Sequence, residues 1–225
     1  MLLIMHYIQQ KIMYVLALTD SARFSQLKPQ EIESNLFIYH LRQLMRDKLV
    51  VKNTDKTYSL SIQGKAYADT INWKTLKPRS QPKIVNLIAC KNDHGEYLLY
   101  RRKHQPFIGL TGFPYGKIHL GETITESSER ELLDKTNLKT ALKHRGDAYV
   151  TVFDGDELVM HTLFHIHTGE NPVGELKEAT PIGYCYWAKV DLDKPDQYFP
   201  GFVEIYSLLK RPAKQRFFKE FTFHL

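Results

Sequence analysis

The stretch of the chain with the clearest capacity for chemistry is GKIHLGETITESSERELLDK, residues 116–135, which ends at Lys135. In a helix, side chains three residues apart share a face, so Glu131 and Asp134 can converge on one cation. Carboxylate oxygens are the ligands that Mg²⁺ and Mn²⁺ prefer. The same run of charges is also typical of a solvated helix with ion pairs at four-residue spacing. The residue types alone therefore leave a metal site and a solvent-facing helix as alternatives.

Local signals predict where this helix begins and ends. Thr123 and Glu126 have the types and the spacing of a capping box. Leu132 and Leu133 give the helix a narrow apolar edge, and Asn137 tolerates the left-handed conformation that ends many helices. We therefore expect a helix that follows a Gly-rich loop and rests one edge on a core.

The segments around this helix have the patterns of strands. The runs are KIVNLIAC, EYLLYRR, DAYVTVF, ELVMHTLFHIHT and IGYCYWAKVDL. Strands with one helix inserted after a Gly-rich loop predict an α+β domain. The final residues, FVEIYSLLKRPAKQRFFKEFTFHL, predict a helix and a closing strand that packs on this domain or on a second subunit.

The order of residues in this region closely resembles the Nudix box. Gly116, Glu122, the run Arg130-Glu131-Leu132 and an acidic residue at 134 follow the order of that motif, and GFPYGK matches the segment that precedes it in the family. The resemblance covers residues 83–192 and implies an α/β/α sandwich with a mixed sheet over residues 83–225.

The resemblance also implies a reaction and a set of site residues. Nudix enzymes cleave a diphosphate linked to another moiety with the help of divalent cations, here Mg²⁺ or Mn²⁺. By this resemblance, Glu131 and Asp134 are the catalytic residues, and Gly116, Glu131 and Asp134 are the metal ligands. Arg130 would reach back to Glu122 and brace the loop against the helix.

Lys135 departs from the family pattern, because it stands where the second of two adjacent glutamates is expected. An ammonium about 4 Å from a dication repels it by roughly 2 kcal/mol even at the dielectric constant of water. We therefore expect Mg²⁺ or Mn²⁺ to bind weakly. Lys135 can instead contact phosphates directly, together with Arg101, Arg102 and Lys117, which predicts ligand binding without efficient hydrolysis.

Other titratable groups in this domain give weaker signals. Glu175 and Glu178 lie in a loop where many Nudix enzymes hold a more distant carboxylate. His161, His165 and His167 fall on one face of a predicted strand. A metal cluster is one interpretation of them, and a solvent-facing or hydrogen-bonded set is the more common arrangement, so we assign them no role.

The N-terminal third has helical patterns instead. Residues 2–18 are apolar at helical spacing but carry polar interruptions, which excludes a membrane span or a signal peptide and predicts a core helix. A short helix is expected at 21–27, and a third begins at Pro29 and buries a stripe that includes Phe37 and Leu41. Two short strands and a final helix follow.

This N-terminal pattern resembles the winged helix-turn-helix module of bacterial and archaeal regulators. The segments that carry the resemblance are SNLFIYHLRQLMRDKLVVK and YSLSIQGKAYA. In that family the third helix enters the major groove and a hairpin wing touches the backbone. The resemblance places near DNA the residues Ser34, Asn35, Tyr39, His40, Arg42 and Gln43 of the helix and Lys52 and Lys56 of the wing. Winged helices also serve for protein docking or dimerisation.

The distribution of charge along the chain also favours a polyanionic partner for the N-terminal third. The first 82 residues carry 12 Lys and Arg against 6 Asp and Glu, whereas the rest of the chain carries 19 of each. Solvated surface lysines are the alternative explanation. The segment WKTLKPRSQPK, with Pro78 and Pro82, is typical of a linker. We therefore expect a winged helix at 1–75, a linker at 76–82 and a Nudix-like domain at 83–225.

Together these patterns predict a transcriptional regulator, with DNA as its partner and a nucleoside-diphosphate-linked ligand such as ADP-ribose. A homodimer that reads a two-fold DNA site is the natural geometry. The alternatives are an Mg²⁺-dependent pyrophosphohydrolase with an accessory domain, and a binding module whose basic domain docks on RNA or protein. Cys90 and Cys185 lie far apart in apolar runs, which predicts reduced thiols and a cytoplasmic location.

Overall fold

The computed structural model describes residues 5–177, 179–212 and 215–225 of the 225-residue chain. The chain divides into two compact units, residues 1–81 and 82–225. Among the described residues, the N-terminal unit encloses one buried apolar cluster and the C-terminal unit encloses two. Within the described ranges, none of the helices combines the length and the apolarity that crossing a membrane requires.

The N-terminal unit is built from helices, one hairpin and a short ribbon. In chain order these are α1 (Tyr7–Ala17), α2 (Phe24–Leu27), α3 (Ser34–Arg46), β1 (Val50–Lys52), β2 (Tyr58–Leu60), α4 (Ile62–Asp69), β3 (Ile71–Asn72) and β4 (Lys77–Pro78). The strands β1 and β2 pair antiparallel, and so do β3 and β4. Because β4 lies inside the segment predicted as a linker, the first part of that segment pairs with Ile71 and Asn72 instead of running free.

The helix α3 begins at Ser34, later in the chain than the predicted start at Pro29. The reason is local, since the Glu33 carboxylate accepts hydrogen bonds from the backbone N–H groups of Asn35 and Leu36 and so caps the helix. The apolar stripe of α3 includes Phe37 and lies in the core of the unit.

The C-terminal unit contains a nine-stranded mixed sheet. Its elements are β5 (Lys83–Lys91), β6 (Tyr97–Arg102), β7 (Thr111–Gly112), β8 (Tyr115–Lys117), α5 (Ile124–Thr136), β9 (Lys143–Asp154), β10 (Glu157–Glu170), β11 (Ala179–Thr180), β12 (Gly183–Ala188), a 3₁₀ helix (Pro195–Gln197), α6 (Phe202–Leu209) and β13 (Phe217–His224). The strand order is β11-β12-β6-β5-β10-β9-β13, with β7 beside β6 and β8 beside β5. The pairs β5/β10 and β9/β13 are parallel.

Two helices cover the two faces of this sheet. Val85 and Leu87 of β5 pack in one core with Phe202 of α6, whereas Ile88 of β5 packs in another core with Leu132 of α5. Side chains alternate between the faces along a strand, so β5 needs apolar residues at almost every position. This α/β/α arrangement agrees with the architecture that the Nudix resemblance implied.

The helix α5 has the predicted ends. The Thr123 hydroxyl accepts a hydrogen bond from the backbone N–H of Glu126, and the Glu126 carboxylate accepts one from the backbone N–H of Thr123. Asn137 ends the helix in the left-handed conformation with φ 60°. The charged face of α5 is thereby fixed against the loop that contains β8.

Candidate ligand-binding site

The close approach of β8 to α5 is the feature on which the site is built. A Cβ atom at Gly116 would overlap the carboxylate of Glu131, so the Glu131 side chain can occupy this place only because residue 116 is glycine. Gly116 also pairs with Asn86 of β5, which fixes the strand beneath the helix. The carboxylate of Glu131 is therefore held directly against the backbone of the loop.

The carboxylate of Glu131 lies between two cations. Its Oε1 accepts a hydrogen bond from Arg130 Nη1 at 2.8 Å, and its Oε2 lies 3.3 Å from Lys135 Nζ. The Glu131 side chain is only 11% exposed. A carboxylate buried to this extent requires such partners, because its desolvation is costly.

The ammonium of Lys135 is directed inward and not towards solvent. It donates a hydrogen bond to the backbone carbonyl of Tyr115, and its side chain is 17% exposed. It also lies 5.6 Å from the ring centre of Tyr100 and 5.1 Å from that of Tyr115. The lysine thus sits between a loop carbonyl and a buried carboxylate, which are the oxygen types that a hard divalent cation uses.

Asp134 does not share this position. Its side chain is 63% exposed, and its Oδ2 lies 3.8 Å from Arg130 Nη1, the same nitrogen that bonds Glu131. The structure therefore does not bring Glu131 and Asp134 together on one ion, because a guanidinium nitrogen lies between their carboxylates. Both oxygens of Glu131 lie beside cations, so these residues do not fit Mg²⁺ or Mn²⁺ in this arrangement.

The predicted brace between Glu122 and Arg130 is present. Arg130 donates from Nε and Nη2 to the Glu122 carboxylate at 2.5 and 2.8 Å, and from Nη2 to the Lys117 carbonyl at 3.1 Å. The hydrogen bond from Arg130 lowers the pKa of Glu122 to about 2. Arg130 therefore ties the loop before α5 to the helix.

A cavity of about 510 Å³ opens beside Lys135 and Glu131. Its walls include the aromatic side chains of Phe107, Phe113, Tyr115, Phe164, Phe199 and Phe202. Its cationic lining residues are Lys83, Arg102, Lys117 and Lys135, and its acidic one is Glu131. The cavity thus combines an aromatic surface with an excess of positive charge.

The structure places the two predicted arginines differently from the lysines. Arg102 lines the cavity, but its guanidinium donates to the carbonyls of His104 and Gln105 and to the hydroxyl of Tyr115. Burial also lowers the pKa of Arg102. Arg101 is exposed, donates to the Gly109 carbonyl at 2.9 Å and is not among the residues that line the cavity. Both arginines therefore hold the loop that follows β6, and the guanidinium of Arg102 is already engaged by that loop and by Tyr115. Lys117 and Lys135 also line the cavity.

Lys83 and Phe199 are among the lining residues that sequence reasoning missed. Strand alternation was a usable signal for Lys83, because it shares a face of β5 with Val85 and Leu87. Phe199 lies outside helices and strands and had no such signal. It reaches the cavity because its backbone N–H bonds the carbonyl of Thr111 in β7.

The loop glutamates have no demonstrated part in the site. The Glu175 side chain is exposed, and its backbone carbonyl accepts a hydrogen bond from Asn137. Glu178 lies outside the described residues.

In the N-terminal unit, most of the residues predicted to face DNA are on the surface. Exposed positions are Ser34, Asn35, Tyr39 and Arg42 of α3 and Lys52 and Lys56 of the β1/β2 hairpin. Gln43 is half-buried and donates to the Tyr39 hydroxyl at 2.9 Å. His40 is a correction, because its ring is buried and stacks on His6 of α1 with 4.2 Å between ring centres. His40 is therefore a core residue and is not available to a ligand.

Comparison with known proteins identifies a family whose model matches this chain. A model described as NUDIX domain matches residues 81–201, which is more than half of the chain. A mutator MutT protein from Bacillus halodurans has a similar structure, with 21% identity, a TM-score of 0.52 and coverage of 63% of this chain and 90% of that chain. The NUDIX domain of Shewanella oneidensis NrtR, solved with ADP ribose, gives 16% identity, a TM-score of 0.49 and coverage of 64% and 95%. Identities at this level show a shared fold alone.

Proposed function

This chain belongs to the NUDIX family, and we propose that its C-terminal unit binds a nucleoside-diphosphate-linked ligand of the ADP-ribose type without hydrolysing it efficiently. One observation carries the proposal. The ammonium of Lys135 bonds the Tyr115 carbonyl and lies 3.3 Å from Glu131, where the family pattern has a carboxylate instead of a lysine.

The cavity has the size and the lining for such a ligand. A volume of about 510 Å³ is within the range of small-molecule sites. Aromatic walls such as Phe199 and Phe164 suit a planar base, which stacks on aromatic rings. Lys83, Lys117 and Lys135 supply the positive charge that a diphosphate requires.

Hydrolysis is disfavoured by the same contacts. An attacking water needs an acceptor or a cation to orient it. Glu131 already accepts a hydrogen bond from Arg130 and pairs with Lys135, and Asp134 is turned towards solvent. Neither carboxylate is therefore free to hold a water against a bound phosphate.

We further propose that the N-terminal unit is a winged helix that binds DNA through α3. Three helices, a hairpin and a fourth helix follow one another as in that module. Asn35, Tyr39 and Arg42 lie on one exposed stripe of α3, at spacings of four and three residues. These side chains can donate to phosphates and base edges.

The combination of the two units leads us to propose a ligand-responsive transcriptional regulator. Such a protein requires a ligand that favours one arrangement of its DNA-binding surfaces over another. A homodimer on a two-fold DNA site supplies that geometry. We also propose a cytoplasmic location, since Cys90 and Cys185 are both free thiols.

The ligand proposal is tested by incubating the protein with ADP-ribose, NADH or nucleoside triphosphates and Mg²⁺ or Mn²⁺. We expect no release of AMP or phosphate at a rate typical of the family, and a rise in unfolding temperature with ADP-ribose that persists in a chelator. Lys117→Ala should reduce this rise, whereas Lys139→Ala, on an exposed lysine that does not line the cavity, should not. Rapid metal-dependent turnover would favour the hydrolase alternative.

The DNA proposal is tested by a mobility shift with the DNA upstream of the protein's own coding sequence, over a range of salt concentrations. Arg42→Ala should reduce the slope of log affinity against log salt by about 1, as expected for the loss of one phosphate contact. Lys65→Ala, on the exposed surface of α4, is the matched control. Absence of binding by the parent protein would favour a docking role for this unit.

A further inference from the structure

A second cluster of titratable side chains lies in the C-terminal unit, on the adjacent strands β9 and β10. The Oδ1 atom of Asp147 accepts hydrogen bonds from His144 Nε2 at 2.9 Å and from His165 Nδ1 at 2.7 Å. One ligand atom from each of these three residues lies within 4.8 Å of the others. None of the three is among the residues that line the ligand cavity.

An irregularity in the β9/β10 pairing brings these side chains together. His165 lies opposite Asp147 and His167 lies opposite His144, with a register shift between Ile166 and His167. In a regular strand, residues 144 and 147 would point to opposite faces. The inserted residue of the shift re-aims one of them, so both reach the histidines of β10.

A third imidazole, that of His167, stands beside this cluster. His167 is 2% exposed, its Nδ1 has no hydrogen-bond partner in the described part of the chain, and its ring centre lies 5.4 Å from that of His144. This ring is therefore buried against the cluster with one nitrogen unsatisfied by the described residues.

We propose that His144, Asp147 and His165 form a binding site for Zn²⁺, with His167 as an adjacent third imidazole. Two imidazoles and one carboxylate are a donor set that Zn²⁺ takes at about 2.0–2.2 Å, often with water as a further ligand. The three side chains are half-buried, so an ion can reach them from solvent. The nitrogen-rich donor set selects a late transition metal over Mg²⁺.

This site is separate from the candidate ligand site. Gly116, Asn86, His165 and Asp147 lie in one row across β8, β5, β10 and β9. With strands about 4.8 Å apart, His165 is about 10 Å from Gly116 along that row. The zinc proposal therefore does not depend on what the cavity binds.

A metal titration of the full-length, tag-free protein tests the proposal. After treatment with a chelator and its removal, we expect one equivalent of Zn²⁺ to bind and to resist a large excess of Mg²⁺. Co²⁺ should bind in its place and give visible absorption bands of the intensity typical of low coordination numbers. Failure of the parent protein to bind stoichiometric Zn²⁺ would overturn the proposal.

Variants locate the bound ion. Loss of a residue that only hydrogen-bonds a metal ligand lowers metal affinity by about 10–100-fold. Asp147 and His144 are proposed as ligands themselves, so Asp147→Asn or His144→Ala should lower the affinity for Zn²⁺ by at least about 100-fold. His161→Ala is the matched control on β10, the strand of His165, because His161 contacts Tyr149 and lies outside the cluster. Glu131→Gln should also leave zinc binding unchanged.

Circular dichroism separates a lost ligand from a lost fold. The proposal is supported if the Asp147→Asn protein has the unfolding temperature of the parent and does not bind Zn²⁺. If Asp147→Asn does not fold, His165→Gln provides the second test. Unchanged affinity in folded Asp147→Asn and His144→Ala would show that zinc binds elsewhere and would refute the assignment.

Discussion

Replacement of Lys135 by glutamate is the most direct perturbation of the candidate ligand site. Two unit charges about 4 Å apart interact by about 1 kcal/mol in water, so a dication and the ammonium repel by about 2 kcal/mol. A carboxylate at the same place attracts the dication by about the same amount. The total change of about 4 kcal/mol corresponds to about a 10³-fold gain in affinity for Mg²⁺ or Mn²⁺.

The structure makes this figure a lower bound. The Lys135 side chain is only 17% exposed, so the effective dielectric constant around it is below that of water. The change also removes the ammonium from the Tyr115 carbonyl and from Glu131, which leaves both oxygen donors available to an ion. We therefore expect Lys135→Glu to gain metal binding and, with it, measurable hydrolysis of ADP-ribose.

Two assays with matched controls test this reasoning. Mn²⁺ binding is measured by electron paramagnetic resonance, and AMP release is measured with ADP-ribose. Lys139→Glu makes the same change in net charge on an exposed position and should leave both properties unchanged. Lys135→Met removes the charge without adding a ligand and should give about half of the free-energy gain, or about 30-fold. Equal Mn²⁺ affinity in Lys135→Glu and Lys139→Glu would refute the electrostatic argument.

Three further predictions concern stability and reactivity. Glu122 has a folded pKa of about 2 against an ordinary 4.5, so its bond to Arg130 stabilises the fold above pH 4.5 and this contribution is lost as the pH falls towards 2. The difference in unfolding temperature between the parent and Glu122→Gln should accordingly shrink below pH 4.5 in circular dichroism melts. Gly116→Ala should lower the free energy of unfolding by about 1–3 kcal/mol in urea titrations, and Glu131→Ala should relieve much of that loss because it removes the overlap. Burial raises the pKa of the Cys90 thiol to about 12, so native protein should react with an aromatic disulfide reagent far more slowly than unfolded protein, and equal rates would contradict the buried position.

Features that depend on a few neighbouring residues could be predicted from the sequence. The capping box of Thr123 and Glu126 and the left-handed Asn137 fix the ends of α5 through contacts within the helix itself. The run KIVNLIAC predicted a strand, and β5 spans it at Lys83–Lys91. The brace between Glu122 and Arg130 followed from the family pattern.

Features that depend on contacts between distant segments could not be predicted in this way. The family resemblance placed His40 near DNA, but His40 lies on the buried stripe of α3 with Phe37 and Leu44, and His6 of α1 stacks on it. Asp134 and Glu131 share a helical spacing, yet Arg130 takes both as partners. The approach of His144 to Asp147 depends on a register shift between strands, and a one-residue shift leaves no periodic signal in the sequence.

The ammonium of Lys135 is covalently part of the protein, and this distinguishes it from a bound metal ion. A divalent ion exchanges with the surrounding pool and can be withdrawn by competing chelators, whereas a charge fixed to the main chain by its own side chain cannot diffuse away. Recognition that relies on this charge is insensitive to fluctuations in free magnesium. Under the proposed function, a molecule held there departs intact, so the duration of the response would be set by dissociation, and the protein would report a concentration without depleting the molecule that it senses.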